Sequence, residues 1–339
     1  MDIVFLMESR KIVTLGEVLM RLSTPASGRL VNAHQLDINY GGSEANVSVA
    51  LASWGIPSKH VTRFPDNELG IAASRSLQQA GVDLQHCVTG GERMPLYFFE
   101  PGAGERSGRI IYDRFNSAFS CIGHGMIKWD EVFRDASWFH WGGITPALSL
   151  GALEVCQEAL NTAKSRGMVI SADINYRRNL WRYGKSAREV MPGLMEKSGI
   201  WIAGEEDLKN CLGISSSSFE DACAQAGKLF SGLTGIGWIK REVISSSHHR
   251  IQGLWWNRTS VKASRLMELN PVVDRIGSGD AFAAGLIYGH HQKWEEQQMI
   301  DYATAACAFK HTMSGDVLMA SVEEVADLAR QQNIGRLLR

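Results

Sequence analysis

The run Asp274-Arg275-Ile276-Gly277-Ser278-Gly279-Asp280-Ala281-Phe282-Ala283-Ala284-Gly285 brings two kinds of chemistry together. Gly277, Ser278 and Gly279 are small enough for backbone to approach an anion closely, and an apolar helix opens at Asp280. A helix start presents unpaired N–H groups and the positive end of the macrodipole, so it favours negative charge. Asp280, at the same spot, can take a proton from a hydroxyl while the amides stabilise a transferring phosphoryl group. The same residues also suit an acidic helix cap after a flexible turn, and the run alone leaves both readings open. A second constellation, Tyr40-Gly41-Gly42-Ser43-Glu44-Ala45-Asn46, leads paired glycines into a helix that is apolar almost all round. Asn46 lies one turn inside it. A polar side chain at that depth needs a partner, either a ligand hydroxyl or a neighbouring loop.

Two better-known glycine signatures are absent. No GxxxxGK[ST] run occurs, so there is no P-loop. The pair Gly277/Gly279 has Phe282 where a dinucleotide-binding fingerprint needs its third glycine, and the pair Gly102/Gly104 has Ser107.

The elements that must position these residues are legible from periodicity. Leu69, Ala72, Ala73, Ser76, Leu77 and Ala80 have helical spacing, Gly81 is placed as a C-terminal stop, and VDLQHCV follows as a β-rich run. Leu153, Cys156, Leu160 and Ala163 repeat the pattern, with Gly167 as the stop and MVISADI as a buried strand. Phe219, Ala222, Cys223, Ala226 and Phe230 do so again behind a Ser218-x-x-Asp221 start. Three last helical patterns start near Asp280, Glu295 and Ser321. Such alternation implies an α/β fold, doubly wound, with a mainly parallel sheet covered by helices. Residues of about 12–40 and 94–115 lack helical periodicity; they read as extended segments that pair into a small β-sheet lid, or as ordinary edge hairpins.

Composition limits the remaining choices. The 339 residues carry 35 basic and 36 acidic side chains, a balance that argues against non-specific nucleic-acid binding. Six cysteines without a CxxC pair are too sparse for a disulfide scaffold or a zinc site and are expected as buried, reduced thiols. The N-terminus lacks the pattern of a signal peptide, and the uncharged stretch Ala136 to Leu153 is broken by glycines, Pro146 and polar residues, so it reads as core rather than membrane span. The sequons at Asn46 and Asn257 carry no weight without secretion. A cytoplasmic protein is expected, with no nucleic-acid or membrane partner.

GGSEANVSVALASWG and DRIGSGDAFAAG together resemble the paired signatures of the ribokinase-like (PfkB) carbohydrate kinases, over essentially the whole chain from Lys11 onward. Leu96-Tyr97-Phe98, Ile111-Tyr112-Asp113-Arg114, Trp141 to Ala147, Asp173 to Arg177 and Lys310-His311-Thr312 are similar to the subgroup acting on 2-keto-3-deoxygluconate. The resemblance implies one domain over 11–335, with 1–10 as an N-terminal extension. It implies phosphoryl transfer from ATP, with Mg2+, to the 6-hydroxyl of that sugar acid. Asp280 then matches the catalytic base, and Gly277, Ser278 and Gly279 the anion hole. Gly41, Gly42, Asn46, Tyr97, Tyr112, Arg114, Ile144 and Arg177 match the surroundings of the sugar. Lys240 and Arg241 fall where ATP contacts are expected, and Glu206 and Asp207 where magnesium is met through water. A carboxylate substrate suits arginine, whose planar fork pairs with carboxylates. A kinase for the galactonate epimer, a fructokinase-like enzyme and a catalytically weak sugar-binding regulator are the alternatives. Association of copies through the lid is a further expectation.

Four positions depart from the pattern. Gly204 precedes Glu205-Glu206-Asp207 where relatives carry Asn. Ile239-Lys240-Arg241-Glu242 replaces a Thr-Leu-Arg-Glu-like run. Ser278 puts a hydroxyl into the anion hole. Arg275 stands where many relatives have Thr, so their potassium site is not expected.

Overall fold

The computed structural model describes residues 11–332, so the expected extension at 1–10 and the last residues of the expected domain lie outside it. The large sheet runs in the order Val261–Ala263, His248–Trp256, Gly235–Ser245, Ile200–Ile202, Val169–Asp173, Ala136–Gly142, Lys11–Leu15, Ser58–Val61, with Met267–Leu269 also paired to His248–Trp256. From Gly235–Ser245 to Ser58–Val61 all pairings are parallel; the hairpin beyond is antiparallel. Successive side chains point to opposite faces, and both faces are covered. Ile12, Trp138 and Ile200 enter one apolar cluster with the Ser278–His291 and Glu296–Lys310 helices, whereas Val13, Phe139 and Trp201 enter another with the Leu150–Ser165 helix.

The stretch Ala136 to Leu153 supplies a buried central strand, Ala136–Gly142, and the short helix Thr145–Leu148. Gly81 and Gly167 end their helices at φ +86 and +66, as their placement implied. The Ser218 side chain accepts from Asp221 N at the head of the Phe219–Leu229 helix. Of VDLQHCV, Val88 belongs to the short strand Val88–Thr89, paired with Arg63–Phe64 outside the large sheet, and Asp83 makes an isolated parallel bridge to Lys59 at the large sheet's edge. Four cysteines are buried thiols, but Cys121 is exposed and Cys87 half-buried, a correction to the expectation for all six.

A four-stranded sheet in the order Asp37–Gly41, Leu19–Ser23, Leu96–Glu100, Arg109–Asp113 stands over the carboxyl ends of the large sheet's strands. Its first segment starts later than expected. Lys11–Leu15 is a central strand of the large sheet, buried on both faces from Ile12 to Leu15, and the small sheet begins only at Leu19. Its inner face carries Tyr97 paired with Tyr112. Its outer face carries one row in register, Ile38, Leu22, Phe98 and Ile111.

Candidate active site

The pocket under the small sheet has a volume of about 440 Å³. Parallel strands deliver residues to it from their carboxyl ends, where ligands of open α/β sheets gather. Glu17 follows Lys11–Leu15, Ile144 follows Ala136–Gly142, and Asn175 and Arg177 follow Val169–Asp173. The Ser43–Ser53 helix, buried on all sides over its first eight residues except Ser43, comes from one wall. The Ser278–His291 helix faces it.

Asp280 lies in the first turn of that second helix. It accepts from Ser43 Oγ at 2.7 Å through Oδ1 and from Asn46 Nδ2 at 2.6 Å through Oδ2. Burial pushes its carboxyl above the usual range, while these two hydrogen bonds hold it down. Asn46 therefore finds its partner in the acid itself, and its own Oδ1 accepts from Gly42 N at 3.2 Å. The polar group inside an apolar helix thus orients the Asp280 carboxylate. Ser43 in turn accepts from Asn175 Nδ2 at 3.3 Å, and Asn175 holds a left-handed backbone at φ +41, which asparagine tolerates.

The loop before Asp280 is fixed from behind. Asp274 accepts from Ile276 N at 2.9 Å, from Gly315 N at 3.2 Å and from the buried Arg21 guanidinium at 2.6 Å. Gly277 sits at φ +79, and a Cβ there would stand 1.7 Å from Asp316 O, so no other residue fits without backbone movement. A Cβ on Gly279 would meet nothing within 4 Å; that side opens to the pocket. The Ser278 hydroxyl does not enter the anion hole. It donates to Arg275 O and accepts from Arg241 Nη2, both at 2.8 Å, and Ser278 is buried.

Cations surround this loop. Arg241 and Arg275 line the pocket and form no ion pair among the described residues, and Arg241 Nε is buried without a hydrogen-bond partner. An unpaired guanidinium pair beside an open glycine cradle is the donor set a polyphosphate needs. Lys240 is exposed on the opposite face of its strand and does not reach the pocket, so strand alternation separates it from Arg241.

At Glu206 and Asp207 the pattern is different. Both Asp207 oxygens accept backbone N–H groups, Tyr176 N and Gly204 N, each at 3.0 Å. Glu206 is exposed, neither residue lines the pocket, and no cluster of three metal-ligating side chains occurs among the described residues. Gly204 has a local cause. A Cβ there would lie 2.7 Å from Trp238 Nε1, so the indole occupies the space of a side chain at 204.

On the small-sheet side, Tyr97 donates its hydroxyl to Asp316, and its ring lies 5.8 Å from that of Tyr112. Arg114, which the resemblance places beside the sugar, lines the pocket. It is buried and bonded to Glu17 Oε2 through Nε at 2.9 Å and Nη2 at 2.5 Å, its cation lying against Tyr112. Arg177 is exposed, lines the pocket and forms no ion pair among the described residues. Gly41, Gly42 and Ile144 also line the pocket.

The chain belongs to the pfkB family of carbohydrate kinases. The family's sequence profile matches residues 9–321. A 2-dehydro-3-deoxygluconokinase from Thermotoga maritima is 35% identical, with TM-score 0.90 over 95% of this chain and 98% of that one. A pfkB family carbohydrate kinase from Listeria grayi is 32% identical, with TM-score 0.91 over 95% and 100%. A 2-dehydro-3-deoxygalactonokinase from Haloferax volcanii is 29% identical over 96% of this chain and 98% of its own length. Kinases of this family use ATP, and no helix among the described residues is long and apolar enough to cross a membrane.

Several pocket residues of this pfkB kinase were not singled out from sequence. Ser43 and Glu44 stood in the quoted motif, and an acid inside an apolar run was itself a signal. Asp173 and Asn175 stood in a quoted stretch too. Asp316 carried no signal, because a loop far along the chain brings it in. The Glu44 carboxyl is wedged between backbones: a Cβ on Gly16 would stand 2.0 Å from Oε2 and one on Gly142 2.1 Å from Oε1. Burial raises it to about 8, and Oε1 has no hydrogen-bond partner among the described residues.

Proposed function

We propose that this kinase transfers the γ-phosphoryl group of ATP to the 6-hydroxyl of 2-keto-3-deoxy-D-gluconate, giving the 6-phosphate and ADP. The observation that carries the reading is Asp280. It is one ionisable oxygen pair, aimed by Ser43 and Asn46, on the helix start whose glycines face the pocket. The hydroxyl proton passes to Asp280 as its oxygen bonds to phosphorus and the bond to the ADP oxygen breaks. First-turn amides of the Ser278–His291 helix, with Arg241 and Arg275, offset charge on the transferring group.

Magnesium would add charge neutralisation between the phosphates. It keeps most of its waters in such sites, so Glu206 and Asp207 would reach it only through water. The Asp207 oxygens, already bound to two amides, fit that indirect role better than direct ligation.

The sugar's carboxylate falls to Arg177, a pocket arginine that makes no direct ion pair among the described residues, though Asp173 and Asp280 lie within electrostatic reach of it. Arg114, already balanced by Glu17, offers its remaining N–H groups. The Haloferax relative's name supports a second reading, the galactonate epimer. ADP release with ketodeoxygluconate, ketodeoxygalactonate, fructose and ribose tests the assignment. Preference for either acid over fructose is expected. Fructose ahead of both acids overturns it, and sugar binding without ADP release would make the chain a regulator.

The outer row of the small sheet also fits a second copy of the chain, with Ile38 58% and Ile111 56% exposed. Solution mass checks this, with Ile38→Lys expected to shift any dimer to monomer.

A further inference from the structure

The Gly102-x-Gly104 pair that matches no dinucleotide fingerprint sits at the tip of the hairpin Leu96–Glu100 and Arg109–Asp113. Reciprocal backbone bonds of 3.0 and 2.9 Å between Ala103 and Arg106 close this turn, with Gly104 at φ +54. The tip rests on the turn that joins Gly235–Ser245 to His248–Trp256. Ser246 donates its amide to Gly104 O over 3.0 Å and its hydroxyl to Arg106 O over 2.6 Å. A Cβ on Gly102 would stand 2.5 Å from Ser246 Oγ, so this approach requires glycine there. The next carbonyl, that of Ser247, accepts from Val272 N at 2.8 Å. Val272 begins the segment that runs through Asp274 to Gly279. Arg275 of that segment lines both the seam between the two turns and the reaction pocket.

We infer that Ser246 is a positioning residue, a latch that ties the sugar-side sheet to the nucleotide-side loop. It touches neither sugar nor phosphate. The small sheet carries Tyr97 and Tyr112 into the pocket, and the segment after Val272 carries the anion loop; both are bonded to one two-residue turn. A sugar that draws the sheet down favours the loop arrangement bonded to it, and a nucleotide that orders the loop favours the lowered sheet. Such coupling is reciprocal by thermodynamic necessity. The latch rests on the kinase activity of the family, not on which sugar is the substrate.

The test measures sugar affinity with and without a non-hydrolysable ATP analogue in the wild type, Ser246→Ala and Ser246→Thr. The sugar is whichever of the four above supports ADP release. Nucleotide is expected to tighten sugar binding in the wild type. Losing one hydrogen bond should cut that coupling by about two- to tenfold in Ser246→Ala, and Ser246→Thr, which keeps the hydroxyl, should restore most of it. ADP released per sugar phosphate should rise above one in Ser246→Ala, because a loosened sheet admits water. Equal coupling in wild type and Ser246→Ala overturns the latch, as does a loss of sugar affinity that is the same with and without nucleotide. An unexpected preferred sugar overturns the substrate assignment and leaves the latch test standing.

Discussion

On the core wall of the pocket, Asp280 takes hydrogen bonds from Ser43 and Asn46, one turn of a helix packed on every side. On the sheet wall, Tyr112 is 49% exposed, and Tyr97 holds its place through Asp316, a residue of the core. The first wall is complete before any substrate arrives. The second depends on where a four-stranded sheet rests. Pre-organised groups act on the transition state, whereas groups that arrive with a closing element act first on binding. Core substitutions should therefore appear in kcat and sheet-side or rim substitutions in KM.

The largest expected effect is on the core wall. Asp280→Asn removes the proton acceptor and turns one donor of the pair Ser43 and Asn46 against another donor. Turnover should fall by about a thousandfold while ATP binding stays close to wild type. Near-normal turnover would remove Asp280 as the base. On the rim, Arg177→Met deletes the cation proposed to meet the sugar's carboxylate. The kcat/KM for a sugar acid should fall by about ten- to a hundredfold, the size of a lost charge-assisted hydrogen bond, mainly through KM. A neutral sugar should be affected far less, and equal losses would place the carboxylate elsewhere. Ser43→Ala is a finer probe of the core wall. Asn46 still holds Asp280, so a loss of about tenfold is expected, in kcat rather than KM. A change in KM alone would break the division between the walls.

The core wall was the more legible of the two. Its residues lie within two short motifs, where small residues, an acid and a helix start carry chemical meaning at fixed spacing. The doubly wound sheet followed from periodicity for a similar reason, since each helix and strand announces its own buried face. What escaped was assembled across distance. The Glu17 carboxylate that takes up Arg114 is 97 residues away, and no local pattern marks that pair. Residues 12–15 fall within the segment expected in the small sheet, because a short, mostly apolar run has no period that tells a central strand from a lid strand. Trp238 beside Gly204 is a further case: the missing side chain was visible, but not the indole that fills its place.

The buried acid beneath the core wall gives the subtlest test of a wall made before substrate arrives. Glu44 is held near pKa 8, against an ordinary value of 4.5, because burial between Gly16 and Gly142 disfavours its charge. Its unfolded form therefore loses its proton at lower pH than its folded form does. Stability from this group is complete below about pH 4.5, declines as pH rises toward 8 and levels off above that. Glu44→Gln keeps the volume and cannot ionise, so it lacks this decline. Melting temperatures measured from pH 5 to 8.5 should show the wild type losing a few degrees relative to the variant across the window, with the gap closed at the acid end. Parallel curves would mean that Glu44 ionises freely, and that the space between the two glycines is wetter than its packing implies.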